Sequence, residues 1–332
     1  MRTVAILVFP NVQSLDVTGP MDVFAEANRF LEPADQYQIR VIGTEAGLIS
    51  CANGLLIQPH DTCASFSESV DLLMVAGGPT VTQQPRNEIL CDWLRAMDRR
   101  CAKIASVCNG AFLLAYAGLL EGLHATTHWN DVPKLAARFP NVRVEADRIF
   151  ARSGRIYTSA GVTAGIDLAL HLVYEDCGPE VSLNVAKRLV VFSQRNGGQS
   201  QFSPYLAPYT DEEASLVQTV QQYVLGHLHE ELNVERLANV AGMSVRNFSR
   251  VFARDARMTP SEFVERARVD AGRALLETSA HPLKTIAHRC GFGTSSRMRA
   301  AFVKNLGVTA QQYRDNFGAY SGSHMPSSVC ND

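Results

Sequence analysis

Up to about residue 190, short unbroken apolar runs alternate with stretches whose apolar positions carry a helical spacing. Val4–Phe9 is apolar throughout, as expected of a strand buried on both faces. The spacing predicts a helix over Val17–Arg29, with Gly19-Pro20 near its start. Further strands are predicted at Tyr37–Ile42, Leu72–Ala76, Ile104–Val107 and Arg155–Ser159. Helices are predicted at Ile89–Arg100, at Ala111–Leu120 (closed by Gly122) and at Ala164–Tyr174. Glycine turns, Gly77-Gly78-Pro79 and Cys108-Asn109-Gly110, follow two of the strands. Such alternation predicts a mostly parallel sheet with helices on both faces.

The pattern changes at Asn196-Gly197-Gly198-Gln199-Ser200, and the polar, proline-bearing stretch 196–212 reads as a linker. A helix over Asp211–His229 is expected to open a second domain, 213–317, behind a first domain, 1–195. The tail 318–332, rich in Gly, Ser and Pro, is expected to be disordered.

The second domain repeats itself. Leu237-Ala238, Ala241-Gly242-Met243, Phe248, Phe252, Thr259 and Phe263 are matched by Ile286-Ala287, Cys290-Gly291-Phe292, Met298, Phe302, Thr309 and Tyr313. A short helix, a glycine turn and a second helix make a helix-turn-helix unit, and two stand in tandem. Ser244 is placed to cap the second helix of the first unit. Opposite that helix's apolar face lie Arg246, Ser249 and Arg250. The same positions in the second unit are Ser296, Arg299 and Ala300, with Arg297 beside them. These side chains would meet base edges if the helices enter the major groove. Arg254, Lys284 and Lys304 are better placed for phosphate.

Charge follows the same division. Residues 232–317 carry 14 Lys/Arg against 7 Asp/Glu, a balance of +7, which leaves −9 on the rest of a chain whose net charge is −2. A basic module on an acidic body fits a nucleic-acid partner. The eight cysteines form no Cys-x-x-Cys pair, so neither a zinc ribbon nor a thioredoxin-type site is expected, and no metal or cofactor is assigned. Val4–Phe9 is too short for a signal-peptide core, and no apolar stretch reaches the roughly 20 residues of a membrane span. The expected location is cytoplasmic, at the nucleoid, with reduced thiols.

The doubled pattern resembles the AraC/XylS family of bacterial transcriptional regulators over 213–317. It is carried by Leu237-Ala238, Gly242-Met243-Ser244, Arg250-Val251-Phe252, Ile286-Ala287, Cys290-Gly291-Phe292, Phe302 and Gly307-Val308-Thr309. Ala310 departs from the family's usual proline. The resemblance implies an all-α, seven-helix domain with two recognition helices about one DNA turn apart. It also implies a promoter as the double-stranded DNA partner, RNA polymerase as a further one, and transcriptional activation.

In the first domain the sharpest feature is Ala105-Ser106-Val107-Cys108-Asn109-Gly110-Ala111. An apolar strand runs into a cysteine, and a glycine follows two residues later at a helix start. That is the geometry of a nucleophile elbow. The helix N-terminus is expected to favour the thiolate and lower the Cys108 pKa. Gly77-Gly78 is expected to aim backbone N–H groups at an anion near the sulfur. Asp16 and His128 are the other candidates for this crevice.

These residues resemble the class I glutamine amidotransferase-like superfamily, in its PfpI and isocyanide hydratase branch, over 1–195. The carriers are Leu15–Pro20, Gly77-Gly78, the Cys108 elbow, Ala125–Trp129 and Ser159–Asp167. The resemblance implies an α/β flavodoxin-like sandwich that commonly dimerises, and a pocket where Cys108 lies near Asp16 and the Gly78 N–H. Asn109 departs from the His that follows the cysteine in peptidase-like members and from the Thr of hydratase-like ones. The His-x-Glu of amidotransferases is met only by His229-Glu230-Glu231, beyond the linker. Together the halves resemble AraC-type regulators whose front domain senses small metabolites, such as amino acids and small amines. The expected effector-binding residues are Asp16, Gly78, Cys108, Asn109 and His128. The alternatives are a working Cys-dependent hydratase or amidase, and a thiol redox sensor.

Overall fold

The computed structural model describes residues 1–191, 216–256 and 258–317. The linker and tail assigned from sequence lie outside the described residues. The chain divides into two compact units, Met1–Gln199 and Ser200–Asp332.

The first unit is built on strands β1 (Arg2–Val8), β2 (Tyr37–Gly43), β3 (Ile49–Ser50), β4 (Leu56–Ile57), β5 (Asp61–Thr62), β6 (Val70–Val75), β7 (Cys101–Ser106), β8 (His124–Ala125), β9 (Arg143–Val144), β10 (Phe150–Ser153) and β11 (Ile156–Ser159). Seven of them form one sheet in the order β10-β11-β7-β6-β1-β2-β5, parallel except for the β10–β11 hairpin. β1 is an interior strand flanked by β6 and β2, and Val4–Val8 are buried without a break because both faces are covered, which accounts for the unalternating apolar run. Its helices are α1 (Ser14–Ala27), α2 (Glu88–Asp98), α3 (Gly110–Tyr116), α4 (Val132–Arg138), α5 (Ala164–Cys177) and α6 (Pro179–Leu189). α1, α5 and α6 pack together in one layer, and α2 packs with α3.

α1 starts three residues before the expected Val17. Asp16 is thereby drawn into its first turn, and Pro20 stands inside the helix. Proline has no N–H for the carbonyl of residue 16, so the Gly19-Pro20 pair marks a missing rung of the helix rather than its entrance.

The second unit is helical: α7 (Leu216–Gly226), α8 (Val234–Val240), α9 (Val245–Ala256), α10 (Pro260–Thr278), α11 (Leu283–Arg289), α12 (Ser295–Leu306) and α13 (Ala310–Phe317). α10 serves two cores. Its Phe263, Val264 and Ala267 join Phe248 and Phe252, while its Val269 and Leu276 join Ile286, Met298, Phe302 and Tyr313. Each helix-turn-helix unit therefore has its own apolar cluster on a shared backbone. The fold is an α/β flavodoxin-like sandwich followed by an all-α tandem helix-turn-helix region.

Candidate functional site

β7 ends at Ser106, and the Val107 N–H still reaches across to the Val75 carbonyl. The next residue turns the chain sharply. Cys108 has φ 56, a left-handed conformation that costs a β-carbon-bearing residue about 1–2 kcal/mol. The turn is held from both sides. The Cys108 N–H donates to the Ala160 carbonyl at 3.0 Å, and the Thr127 hydroxyl donates to the Cys108 carbonyl at 2.8 Å. α3 then starts at Gly110, where a β-carbon would overlap the Val75 carbonyl. The structure thus places a strained cysteine at a strand-to-helix elbow.

Asp16, Asn109 and the two glycines close around it. Gly77 N–H donates to Asp16 Oδ2 at 2.9 Å, and Gly78 N–H donates to Asn109 Oδ1 at 2.8 Å. A β-carbon on Gly77 would fall 2.6 Å from Asn109 Oδ1, 2.8 Å from Asp16 Oδ2 and 2.9 Å from the Cys108 β-carbon, so only glycine fits among all three. Asn109 Nδ2 donates to Asp131 Oδ2 at 3.5 Å, and Asp131 Oδ1 receives Lys134 Nζ at 3.0 Å. An amide suits position 109 because it accepts on one side and donates on the other.

The Gly78 N–H does not face an anion; it is used by Asn109. Nor is the Cys108 thiol lowered: burial, with the nearby Asp16 carboxyl, pushes it up to about 12. Cys108 is 8% exposed, and the loss of hydration for a thiolate outweighs the backbone N–H groups of Asn109 and Val162, which act in the opposite direction. Asp16 is 1% exposed, and burial raises its carboxyl to about 7 against the Gly77 hydrogen bond. Its Oδ1 has no partner in the structure.

His128 is brought to the same turn. Its ring fills the space where a Gly161 side chain would stand, next to Ala160, which holds the Cys108 N–H. Nδ1 accepts the Asn130 N–H at 3.2 Å, and burial lowers the imidazole pKa. Thr127, inside the Ala125–Trp129 stretch, and Asp131, three residues beyond His128, join the site though neither is a sequence candidate.

The second candidate surface is the pair of helices α9 and α12. Arg246 and Arg250 on α9, and Ser296, Arg297 and Arg299 on α12, are all exposed opposite the buried Phe248–Phe252 and Met298–Phe302 faces. Ser249 is half-buried, and its hydroxyl donates to the Val245 carbonyl at 2.8 Å. Arg250 donates to Asn247 Oδ1 at 3.0 Å. Two of the expected phosphate contacts are already paired, Arg254 with Asp255 at 2.7 Å and Lys304 with Glu265 at 2.7 Å, while Lys284 is exposed. Among the described residues no helix is long and apolar enough to cross a membrane, and no cluster of His, Cys, Asp and Glu is arranged for a metal.

Comparisons with known proteins agree with this division. Residues 2–175 match the DJ-1/PfpI family, and 237–316 match a helix-turn-helix domain. The HTH-type transcriptional regulator CdhR of Pseudomonas aeruginosa is 27% identical over 310 residues, spanning 93% of this chain and 90% of that protein. The isonitrile hydratase of Pseudomonas putida is 33% identical over 189 residues, 56% of this chain and 77% of the enzyme. Among solved structures, an AraC family transcriptional regulator from Pseudomonas putida superposes with TM-score 0.51 at 23% identity, covering 57% of this chain and all of that one. Drosophila melanogaster DJ-1beta superposes with TM-score 0.50 at 21% identity, over 57% of this chain and 98% of that one. The chain belongs to the DJ-1/PfpI family, and within it to the regulators that carry an AraC-type helix-turn-helix domain behind the sandwich.

Proposed function

We propose that this protein is a sequence-specific DNA-binding transcription regulator, an activator working as a homodimer with RNA polymerase at nucleoid promoters. The carrying observation is the second unit: two separately packed helix-turn-helix cores, each presenting exposed arginines on its second helix. Arg246, Ser249 and Arg250 read one stretch of bases, and Ser296, Arg297 and Arg299 the next. The first unit senses a small metabolite, such as an amino acid or small amine, at Asp16, Gly78, Cys108, Asn109 and His128. In this reading Gly78 acts through its bond to Asn109. To switch the protein, the effector must bind its two states unequally.

Cys108 serves as a wall of the effector site rather than as a nucleophile, because its thiol is protonated at neutral pH. Alkylation checks this: the rate at Cys108 should keep climbing to pH 10 and beyond instead of levelling near pH 7, with Asp16→Asn faster than the native chain. A plateau near neutrality would restore the nucleophile. The hydratase reading draws on the isonitrile hydratase relative. A thermal-shift screen of amines, amino acids, amides and nitriles, with product analysis, separates the two. A sensor is stabilised by a compound recovered intact, in Cys108→Ala as well. Turnover that disappears in Cys108→Ala would overturn the sensor.

A further inference from the structure

A cavity of ≈ 200 Å³ lies between the loop after β1, the segment entering α2 and one face of α3. Its apolar walls include Phe9, Val81, Leu90, Leu94 and Leu113. Its polar lining comes from Asn11, Thr44, Gln84 and Asn87, together with Tyr116 and the thiol of Cys91. Cys108, Asp16, Asn109 and His128 are not part of it. Gly78 stands between the two places. The Asn11 carbonyl and the Phe9 ring come within 2.6 and 3.2 Å of where its β-carbon would be, while its N–H is bound by Asn109.

Two properties select an occupant. The first is size: an apolar cavity of about 150 Å³ holds benzene, so this one has room for a ring and one small substituent. The second is charge. None of the lining residues is acidic, basic or histidine, and Arg138, which donates to the lining Tyr116 hydroxyl at 2.7 Å, is also committed to the Thr82 carbonyl at 3.1 Å, so an ion entering would lose its hydration without a dedicated partner. The amides of Asn11, Gln84 and Asn87 and the Thr44 hydroxyl supply neutral donors and acceptors instead. Part of the wall is held in place, since Asn87 Oδ1 accepts the Leu90 N–H at 3.1 Å as the cap of α2. Asn11 itself sits at φ 63, a conformation that asparagine tolerates better than most residues.

We propose that this cavity is a second small-molecule site, distinct from the Cys108 turn, for an uncharged single-ring compound bearing one polar group. It does not depend on what the helix-turn-helix units read.

Cys91 supplies the test, because it is 3% exposed and lines the cavity. The full chain is alkylated with iodoacetamide, and each cysteine is followed by peptide mass spectrometry. Benzyl alcohol at ten times its dissociation constant should slow alkylation at Cys91 about tenfold. Benzoate and benzylamine should leave the rate unchanged. Leu90→Trp, which fills the cavity, should abolish the protection, and Cys108→Ala should keep it. If Leu90→Trp does not fold, Leu113→Phe serves the same purpose. The proposal is overturned by absence of protection in the native chain or by equal protection from the charged probes. It is likewise overturned if protection persists in the filled variant or is lost in Cys108→Ala.

Discussion

The two helix-turn-helix units share an apolar template and differ in the polar residues of their reading helices and in how their turns are seated. Phe248, Phe252 and Phe263 in one stand where Met298, Phe302 and Tyr313 stand in the other. Both end in a capping box, Thr259 with Glu262 and Thr309 with Gln312. The turns are not alike. Gly242 has φ 65 and open space around it. Gly291 has φ 76, and a β-carbon there would overlap the Leu228 carbonyl and come 2.8 Å from Arg268 Nε. The second unit's turn is therefore pressed against the segment that follows α7, and the first unit's turn is free. The apolar positions determine that a helix pair forms; the polar and glycine positions determine where it is anchored and what it reads.

The largest expected difference comes from the turns themselves. Gly291→Ala should cost roughly 3–5 kcal/mol, because neighbouring backbone must move. Gly242→Ala should cost about 1–2 kcal/mol, the strain of its left-handed conformation alone. Urea unfolding of both full-length variants, followed by circular dichroism, measures the pair; equal losses would show that the Leu228 contact at Gly291 adds nothing.

The reading faces come next. Arg250→Ala should lose roughly 1–3 kcal/mol of DNA affinity and relax the preference at one base position. Arg299→Ala should do the same at a different position, because Arg299 takes the place of Ser249 in the repeat and Ala300 that of Arg250. Competition binding against duplexes varied one base at a time tests this. A uniform loss on every sequence would instead mark the arginine as a phosphate contact.

The smallest effect lies in the capping boxes. The Thr259 N–H and hydroxyl hold the Glu262 carboxyl below the usual carboxylate range. A lowered carboxylate stabilises the fold above its unfolded pKa, and that contribution fades as pH falls through the folded value. Gln312 does not titrate. Once the pH drops below the ordinary glutamate range, about 4.3, and on through the lowered folded value, the first unit should lose its cap while the second keeps it, and Glu262→Gln should flatten that acid slope in thermal unfolding. An unchanged slope would remove this distinction between the units.

Much of this was legible in the chain. The repeat, the glycine turns and the exposed arginine faces follow from spacing, since i, i+3 and i+4 residues share a helix face whatever the tertiary context. The elbow was legible for a similar reason: an apolar strand running into Cys-Asn-Gly leaves few ways to turn. What spacing does not carry is competition between partners. Asn109 reaches Gly78 across 31 residues of sequence, and Lys304 reaches Glu265 across 39. The Cys108 thiol is raised rather than lowered because it is buried beside the Asp16 carboxyl, and that burial is not visible in the local sequence. Arg254, by contrast, pairs with its immediate neighbour Asp255, a contact open to view in the sequence.

Under the proposed function, two separately built units read two stretches of one promoter. Selection of the full-length protein's preferred duplexes from a random library tests it most directly. Two short preferred blocks centred about 10 base pairs apart are expected. Arg250→Ala should erase the preference in one block and Arg299→Ala in the other. A single block weakened by both substitutions, or no preferred sequence at all, would contradict it.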